Sequence, residues 1–323
     1  MVDLVDQLPI VYKVAARYWQ QDESQIRASL DSIVVIKRTG GKVAGFLPAF
    51  QDYPSTFFKV YFYDRGYRFE TAGLQAAAAM PAVEGVRVPS VIAIIPEFKA
   101  ILLEKRTWED TSSPWKRLWV NKLGIDWFKV GMWLRAFHDT QVNTERNDYF
   151  LRKKFEKFDF YLAELQSLFT ETQLGKMRVI AQNAKEYFQA NTCEWVVSHG
   201  DFGLDNIKKS GSELEIIDFE DCQPAPREFD ILNCLVRLEY VKELPVGRSP
   251  YRQIKEQFEH GYGPFSFQPV VHDFFYLFIK LDKLETYSRR RVLTSHSQFY
   301  RIMYQLFESA DGINLKSWLC KRD

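Results

Sequence analysis

The stretch His199-Gly-Asp-Phe-Gly-Leu-Asp-Asn206, followed by Ile216-Ile-Asp-Phe-Glu220, decides how this chain is interpreted. Asp201 lies five positions before Asn206, and Asp218 follows an apolar run typical of a short strand. Phosphoryl transfer to an alcohol needs a carboxylate that receives the hydroxyl proton and oxygen ligands that hold Mg²⁺. Asp201 can supply the first, and Asn206 and Asp218 can supply the second, so the stretch predicts this chemistry.

Each residue of the motif also has an ordinary structural explanation. Asp and Asn in a loop that contains glycine are commonly turn residues. We interpret His199 as a structural histidine that braces the loop by hydrogen bonding, and not as a base. The combined string favours the functional interpretation, because an eight-residue motif and an Asp after an apolar strand rarely coincide by chance.

These residues resemble the signature of the aminoglycoside phosphotransferase and choline kinase family, whose members are relatives of protein kinases. The resemblance extends from about Ile33 to about Leu235. It implies a protein-kinase-like α+β fold of two lobes, ATP or GTP as donor, Mg²⁺, and a small-molecule hydroxyl group as acceptor. It also implies that Asp201 is the catalytic base, that Asn206 and Asp218 bind metal, and that Asp230 is a structural aspartate that braces the catalytic loop.

Residues upstream of the motif are predicted to form a small lobe with an antiparallel sheet and one helix. Strands are expected at Ser32–Lys37, Val43–Leu47, Thr56–Tyr63, Val88–Ile95 and Lys99–Glu104, with an alanine-rich helix at Arg68–Met80. We expect residues 1–106 to form this nucleotide-binding lobe, with a helical extension at about 1–30. Residues 107–323 are expected to form the larger, mainly helical lobe with the catalytic loop and the acceptor site.

The helical lobe is predicted from apolar residues that recur with the period of a helix. Such stretches are Trp127–Phe137, Phe155–Phe169, Phe274–Leu284 and Phe299–Phe307. One embedded hairpin is expected from Glu194–Val197 and Leu214–Ile217, after a turn at Ser210-Gly-Ser212.

Lys59 is the predicted nucleotide-binding lysine of the small lobe. Kinases pair a strand lysine with the α- and β-phosphates and hold it with a helix glutamate. Lys59 lies within an aromatic strand, and Glu70 follows eleven residues later in the alanine-rich helix. Without the motif, Lys59 would equally suit an exposed edge strand. The other lysines of this region are poorer candidates, since none precedes a helix glutamate at that spacing: Lys13, Lys37 and Lys42.

Leu102-Leu-Glu-Lys-Arg106 resembles the segment that connects strand and hinge in the family. The resemblance implies that Leu103 lines the nucleobase pocket and that backbone groups of Glu104 and Arg106 contact the base. An ordinary linker between lobes is the alternative, and both can be true. The segment Gly40 to Gly45 is only a loose glycine-rich loop, because it lacks the G-x-G-x-x-G pattern.

The acceptor is the least determined part of the prediction. Acidic residues near the motif would suit an acceptor that carries an amine, although charged loop residues are usually solvated: Asp205, Glu220, Asp221 and Glu228. Trp108–Trp119 contains three tryptophans that could line a sugar or cation site, or belong to the core.

Composition excludes several other classes of protein. The 323 residues contain 43 Lys and Arg against 42 Asp and Glu, a formal net charge of +1, which argues against a nucleic-acid binder driven by charge. The four cysteines form no C-x-x-C pair, so neither a zinc knuckle nor a disulfide framework is expected. We expect a cytoplasmic protein without signal peptide or membrane span, as a monomer or weak homodimer.

Three rival functions stay open at this point. The first is a catalytically silent, nucleotide-binding scaffold of the same fold, which need not retain Asp201, Asn206 and Asp218 together. The second is a kinase that acts on a protein or on another metabolite. The third is a metal hydrolase using His199, although the chain lacks the several spaced histidines that such an enzyme usually requires.

Overall fold

The computed structural model describes residues 8–28, 34–38, 41–105, 124–140, 144–191, 193–242 and 251–290. The chain divides into two compact units. The first holds the described residues up to Lys105 together with His199–Asp201 and Asn206–Gln223. The second holds the described residues from Gly124 to Ser198, Phe202–Asp205 and those from Pro224 onward.

This division differs from the predicted one, which placed everything after residue 106 in the helical part. The segments around Asp201 and Asp218 group with the N-terminal unit because they form strand pairs and ion pairs with it. Arg106 and the tryptophan-rich segment Trp108–Trp119 lie outside the described residues, so the exact boundary stays a prediction.

The first unit is built on a five-stranded antiparallel sheet with the order β1-β2-β3-β6-β5. Its strands are β1 (Val34–Arg38), β2 (Lys42–Leu47), β3 (Thr56–Tyr61), β5 (Val91–Ile95) and β6 (Ala100–Glu104). Its helices are α1 (Leu8–Trp19), α2 (Glu23–Ala28) and α3 (Asp64–Ala79). The predicted strands and alanine-rich helix are therefore present, and α3 begins one turn earlier than predicted, at Asp64.

The two faces of this sheet carry different residues because side chains alternate along each strand. One face forms an apolar core with α1, in which Phe58, Val60 and Leu102 pack with Val14 and Trp19. The opposite face packs against α3 and carries the charged side chains described below. The helices predicted at the N-terminus thus cover the side of the sheet away from these charges.

A second, three-stranded sheet connects the motif segment to the first unit. It consists of β4 (Val86–Arg87), β8 (Ile207–Ser210) and β9 (Glu213–Ile216), in the order β4-β9-β8. Strands β8 and β9 form a hairpin, and β9 pairs with β4 in parallel.

The predicted hairpin between Glu194–Val197 and Leu214–Ile217 is wrong. Strand β7 (Trp195–Ser198) pairs instead with β10 (Gln223–Pro226), whereas β9 pairs with β8. The turn at Gly211 joins the strands directly flanking it, which are β8 and β9. Strand β10 escaped prediction because it contains two prolines, which are uncommon within strands.

The second unit is mainly helical. Its helices are α4 (Trp127–Thr140), α5 (Asp148–Leu165), α6 (Glu171–Ala190), α7 (Glu228–Lys242), α8 (Tyr251–Tyr262) and α9 (Pro269–Arg290). Helix α6 begins with a capping box between Thr170 and Gln173. The predicted helices before residue 290 are present, while Phe299–Phe307 lies outside the described residues. None of the helices within the described ranges is long and apolar enough to span a membrane.

Helices α4 and α8 pack closely, and a buried polar network lies beside them. A Cβ at Gly131 of α4 would lie 2.2 Å from the carbonyl oxygen of Phe258, so only glycine fits there. His138 is fully buried, with Nδ1 2.9 Å from the Tyr262 hydroxyl and Nε2 3.1 Å from Asp230 Oδ2. Burial lowers the pKa of His138 despite the Asp230 carboxylate.

Candidate active site

An ion pair between strand β3 and helix α3 forms the centre of the site. Lys59 Nζ donates to Glu70 Oε1 at 2.6 Å, and both side chains are buried. The contact predicted from the eleven-residue spacing is therefore present. Lys59 also donates to Asp218 Oδ1 at 2.9 Å, although Asp218 is 159 positions away in the chain.

The charge of Lys59 depends on these carboxylates. Burial by itself would lower the pKa of Lys59, but the negative charges of Asp218 and Glu70 outweigh it and raise the pKa above its ordinary value. Lys59 consequently stays protonated.

Two further residues of the site, Lys42 and Tyr61, were not predicted from the sequence as its members. Lys42 Nζ donates to Asp218 Oδ1 at 3.1 Å and also contacts Glu220 Oε2. Tyr61 donates its hydroxyl to Glu70 Oε2. Glu220, one of the acids near the motif that would suit an amine-bearing acceptor, is paired with Lys42.

The pairing of strands β2 and β3 explains why Lys42 and Tyr61 lie beside Lys59. Lys42 pairs with Tyr61, and Ala44 pairs with Lys59, in the register of β2 and β3. Side chains of directly paired residues lie on the same face, as do residues two apart. Lys42, Lys59 and Tyr61 therefore share one face, a relation that only knowledge of the register reveals.

The loop that carries Asp201 is closed by Asn206. Asn206 Nδ2 donates to the backbone carbonyl of Asp201 at 2.8 Å and to Asp201 Oδ2 at 3.0 Å. The Ile217 N–H donates to the Asn206 carbonyl at 3.0 Å, which brings the segment carrying Asp218 beside the loop. His199 is fully buried, and its Nε2 lies 3.1 Å from the Ile217 carbonyl oxygen, so it connects the same two segments.

Two backbone conformations in these segments are unusual. Asp218 has φ of +69°, a left-handed conformation that costs energy for a residue other than glycine and that is found preferentially at functional sites. Gly200 has φ of +83°, and a Cβ there would lie 2.1 Å from the Asp221 carbonyl oxygen. The loop before Asp201 therefore requires glycine for both conformation and space.

Two of the three predicted base-contacting residues, Leu103 and Glu104, lie on the same sheet. Leu103 is buried and pairs with Phe57 in β3, which puts it on the face that carries Lys59. The Glu104 N–H donates to the Ser90 carbonyl at 2.9 Å, so this one of its backbone groups already has a partner in the protein. Arg106 lies outside the described residues.

Three other residues considered in the sequence analysis differ in burial. Asp230 is fully buried in the second unit, where it contacts His138. Glu228 is buried at the first turn of α7, and burial raises its pKa. Asp221 is exposed.

The donor set of the site fits a hard divalent cation. Asp218 and Glu220 offer carboxylate oxygens, and Asn206 offers an amide oxygen, the ligand types that Mg²⁺ prefers. Among the described residues, no group of three or more His, Cys, Asp and Glu side chains is arranged around a possible metal position. A metal here would accordingly share its coordination between these few oxygens, water and phosphate, as Mg²⁺ commonly does.

Comparison with known proteins identifies the family. The sequence model of the phosphotransferase enzyme family, APH, matches residues 56–268. The chain belongs to this family. The predicted enzyme class, a kinase-type phosphotransferase with an alcohol group as acceptor, is thereby confirmed at the level of the family. No curated protein matched the sequence.

Solved structures show the same fold at low sequence identity. A choline/ethanolamine kinase family protein from Mesorhizobium loti is 14% identical, with a TM-score of 0.55, over 88% of this chain and 91% of that chain. An amicoumacin kinase solved with AMP-PNP and Ca²⁺ is 14% identical, with a TM-score of 0.54, over 92% and 96%. APH(2")-IIia with GDP and kanamycin is 12% identical, with a TM-score of 0.55, over 91% and 98%. The predicted kinase-like α+β fold is confirmed.

The loop geometry makes a prediction for Gly200. We expect Gly200→Ala to destabilise the protein by about 2–4 kcal/mol, because a left-handed alanine costs about 1 kcal/mol and the clash with the Asp221 carbonyl adds to it. Gly211→Ala is the matched control, since Gly211 also has positive φ, +62°, but a Cβ there meets nothing within 4 Å. Urea denaturation of both variants measures the difference, and equal losses would contradict the close approach at Gly200.

Proposed function

We propose that the protein is an ATP- or GTP-dependent kinase that transfers the γ-phosphoryl group to a hydroxyl group of a small molecule. The observation that carries the proposal is the set of contacts around Asp218. Lys59, which is paired with Glu70, contacts Asp218, and the hydrogen-bonded pair of Asp201 and Asn206 lies beside the segment that carries Asp218. Each member corresponds to one requirement of phosphoryl transfer.

The nucleotide would be bound by the charged face of the sheet. Lys59 is paired with Glu70 and is kept protonated by Asp218 and Glu70, so its ammonium group can pair with the α- and β-phosphates. Leu103 lies on the same face, two residues after the Ile101 that pairs with Lys59, and would contact the nucleobase. Solved relatives of this fold carry AMP-PNP in one case and GDP in another, which supports a purine nucleotide as donor without choosing between ATP and GTP.

Asn206 and Asp218 would hold Mg²⁺, with Glu220 as a further oxygen donor. When bound, the metal neutralises phosphate charge and orients the phosphates for transfer. Asn206 has a second task that the structure shows directly, because its amide N–H group holds the carboxylate of Asp201. Loss of Asn206 would thus disturb both the metal and the base.

Asp201 is the proposed catalytic base. Its carboxylate accepts a hydrogen bond from the acceptor hydroxyl, orients that oxygen toward the γ-phosphorus, and receives the proton as the new P–O bond forms. Because Asn206 already holds the backbone carbonyl and one carboxylate oxygen of Asp201, little reorganisation is needed when the acceptor binds.

An alcohol that carries an amine is the acceptor class that we favour. Structures of this fold include a choline/ethanolamine kinase family protein and enzymes crystallised with aminoglycosides, whose substrates combine hydroxyl and amino groups. A sugar or another metabolite without an amine is the second candidate, and a protein hydroxyl is the third. We place the enzyme in the cytoplasm, where these nucleotides are abundant.

The test is transfer by the Asp201→Asn variant. The wild-type protein is assayed for ADP or GDP release with choline, ethanolamine, kanamycin and glucose as acceptors. With any acceptor that is used, we expect Asp201→Asn to lower kcat by about 10²–10⁴-fold while the affinity for Mg²⁺–nucleotide is retained.

Asp148→Asn is the matched control, because Asp148 is exposed at the first turn of α5, and its kcat should equal that of the wild type. Turnover by Asp201→Asn within a few-fold of wild type would refute the assignment of the base. A wild-type protein that binds nucleotide but phosphorylates nothing, including itself and protein substrates, would favour the scaffold.

A further inference from the structure

Lys42 is the buried cation of the site that the proposed reaction does not use. It is the first residue of β2 and pairs with Tyr61, so its side chain lies on the same face as Lys59. Lys42 is only 3% exposed. A lysine is rarely buried to this extent unless its charge is compensated.

The compensation comes from two acids of the segment after β9. Lys42 Nζ donates to Asp218 Oδ1 at 3.1 Å and contacts Glu220 Oε2. Lys59 donates to the same oxygen of Asp218 at 2.9 Å, but its other partner is Glu70. Among the described contacts, Lys42 is therefore the cation that bridges Asp218 and Glu220.

These two carboxylates need a cation between them. Both carboxylates contact the ammonium group of Lys42, whose charge compensates theirs. Mg²⁺ would satisfy the same two carboxylates with two charges. Lys42 and a metal ion are consequently alternative cations for the carboxylates of Asp218 and Glu220.

We propose that Lys42 competes with the divalent metal ion for the carboxylates of Asp218 and Glu220, so that metal enters together with the nucleotide and not alone. A metal ion that arrives alone must displace Lys42 and leave a buried ammonium group without compensation. The nucleotide brings phosphates that provide new anionic partners for the displaced lysine. This inference rests on the proposed function in one respect, which is that Asp218 binds metal.

Binding of Mn²⁺ in the absence of nucleotide tests the competition. The concentration of free Mn²⁺ is measured by electron paramagnetic resonance while Mn²⁺ is added to the protein. The proteins compared are wild type, Lys42→Met, Lys42→Gln and the exposed control Lys13→Met. We expect both Lys42 variants to bind Mn²⁺ about tenfold more tightly than wild type, since removal of one charged hydrogen-bonding partner is worth this factor or more. The Lys13→Met variant should match wild type.

A second substitution locates the metal that is gained. Adding Asp218→Asn to Lys42→Met should abolish the increase in Mn²⁺ affinity, whereas an increase that persists would place the metal elsewhere and overturn the inference. Unchanged or weaker Mn²⁺ binding in the Lys42 variants that fold, as judged by circular dichroism, would also overturn it.

The wild-type protein supplies a measurement that needs no variant. Mn²⁺ should bind it weakly alone and at least about tenfold more tightly in the presence of the non-hydrolysable analogue AMP-PNP or GMP-PNP. Equal affinity with and without a nucleotide that is shown to bind would refute competition by Lys42. Failure of the proposed function is distinguishable, because it would appear as no binding of either nucleotide at all.

Discussion

The ammonium group of Lys59, held between Glu70 and Asp218, is the interaction on which the rest of the site depends. It connects strand β3, helix α3 and the segment after β9 at one atom. Because these charges are largely buried, removing one partner leaves an uncompensated charge, which typically costs about 3–5 kcal/mol. Such an ion pair contributes little net stability, but it determines one arrangement of the elements that it connects.

The first compact unit contains every residue to which we assign a role in binding the phosphates or the metal, and also the proposed base. The sheet contributes Lys42 and Lys59, and the motif segments contribute Asp201, Asn206 and Asp218. Residues about 160 positions apart in the chain therefore belong to one unit, and strand pairing between β4 and β9 helps to hold them there. The helical unit has a separate buried network, centred on His138 and Asp230, that gives it a polar core of its own.

The sequence was informative wherever a local pattern determines the contact. The spacing from Lys59 to Glu70 predicted a contact that the structure shows. The spacing from Asp201 to Asn206 assigned both residues to one site, and the structure adds a hydrogen bond between them. Lys42 was passed over because its partners depend on the register of β2 and β3 and on the return of a distant segment. Strand β10 was also missed. Its prolines disfavour a strand by propensity, whereas its pairing with β7 is decided by tertiary contacts.

The most direct test of the central claim is a double-mutant cycle on the affinity for Mg²⁺–nucleotide, measured by isothermal titration calorimetry. The variants are Lys59→Met, Glu70→Gln and their combination, with Lys99→Met, whose lysine pairs with exposed Asp64, as the control. If Lys59 and Glu70 act as one unit, the double variant should lose scarcely more affinity than the weaker-binding single variant. Fully additive losses, or normal affinity in Lys59→Met, would contradict the account.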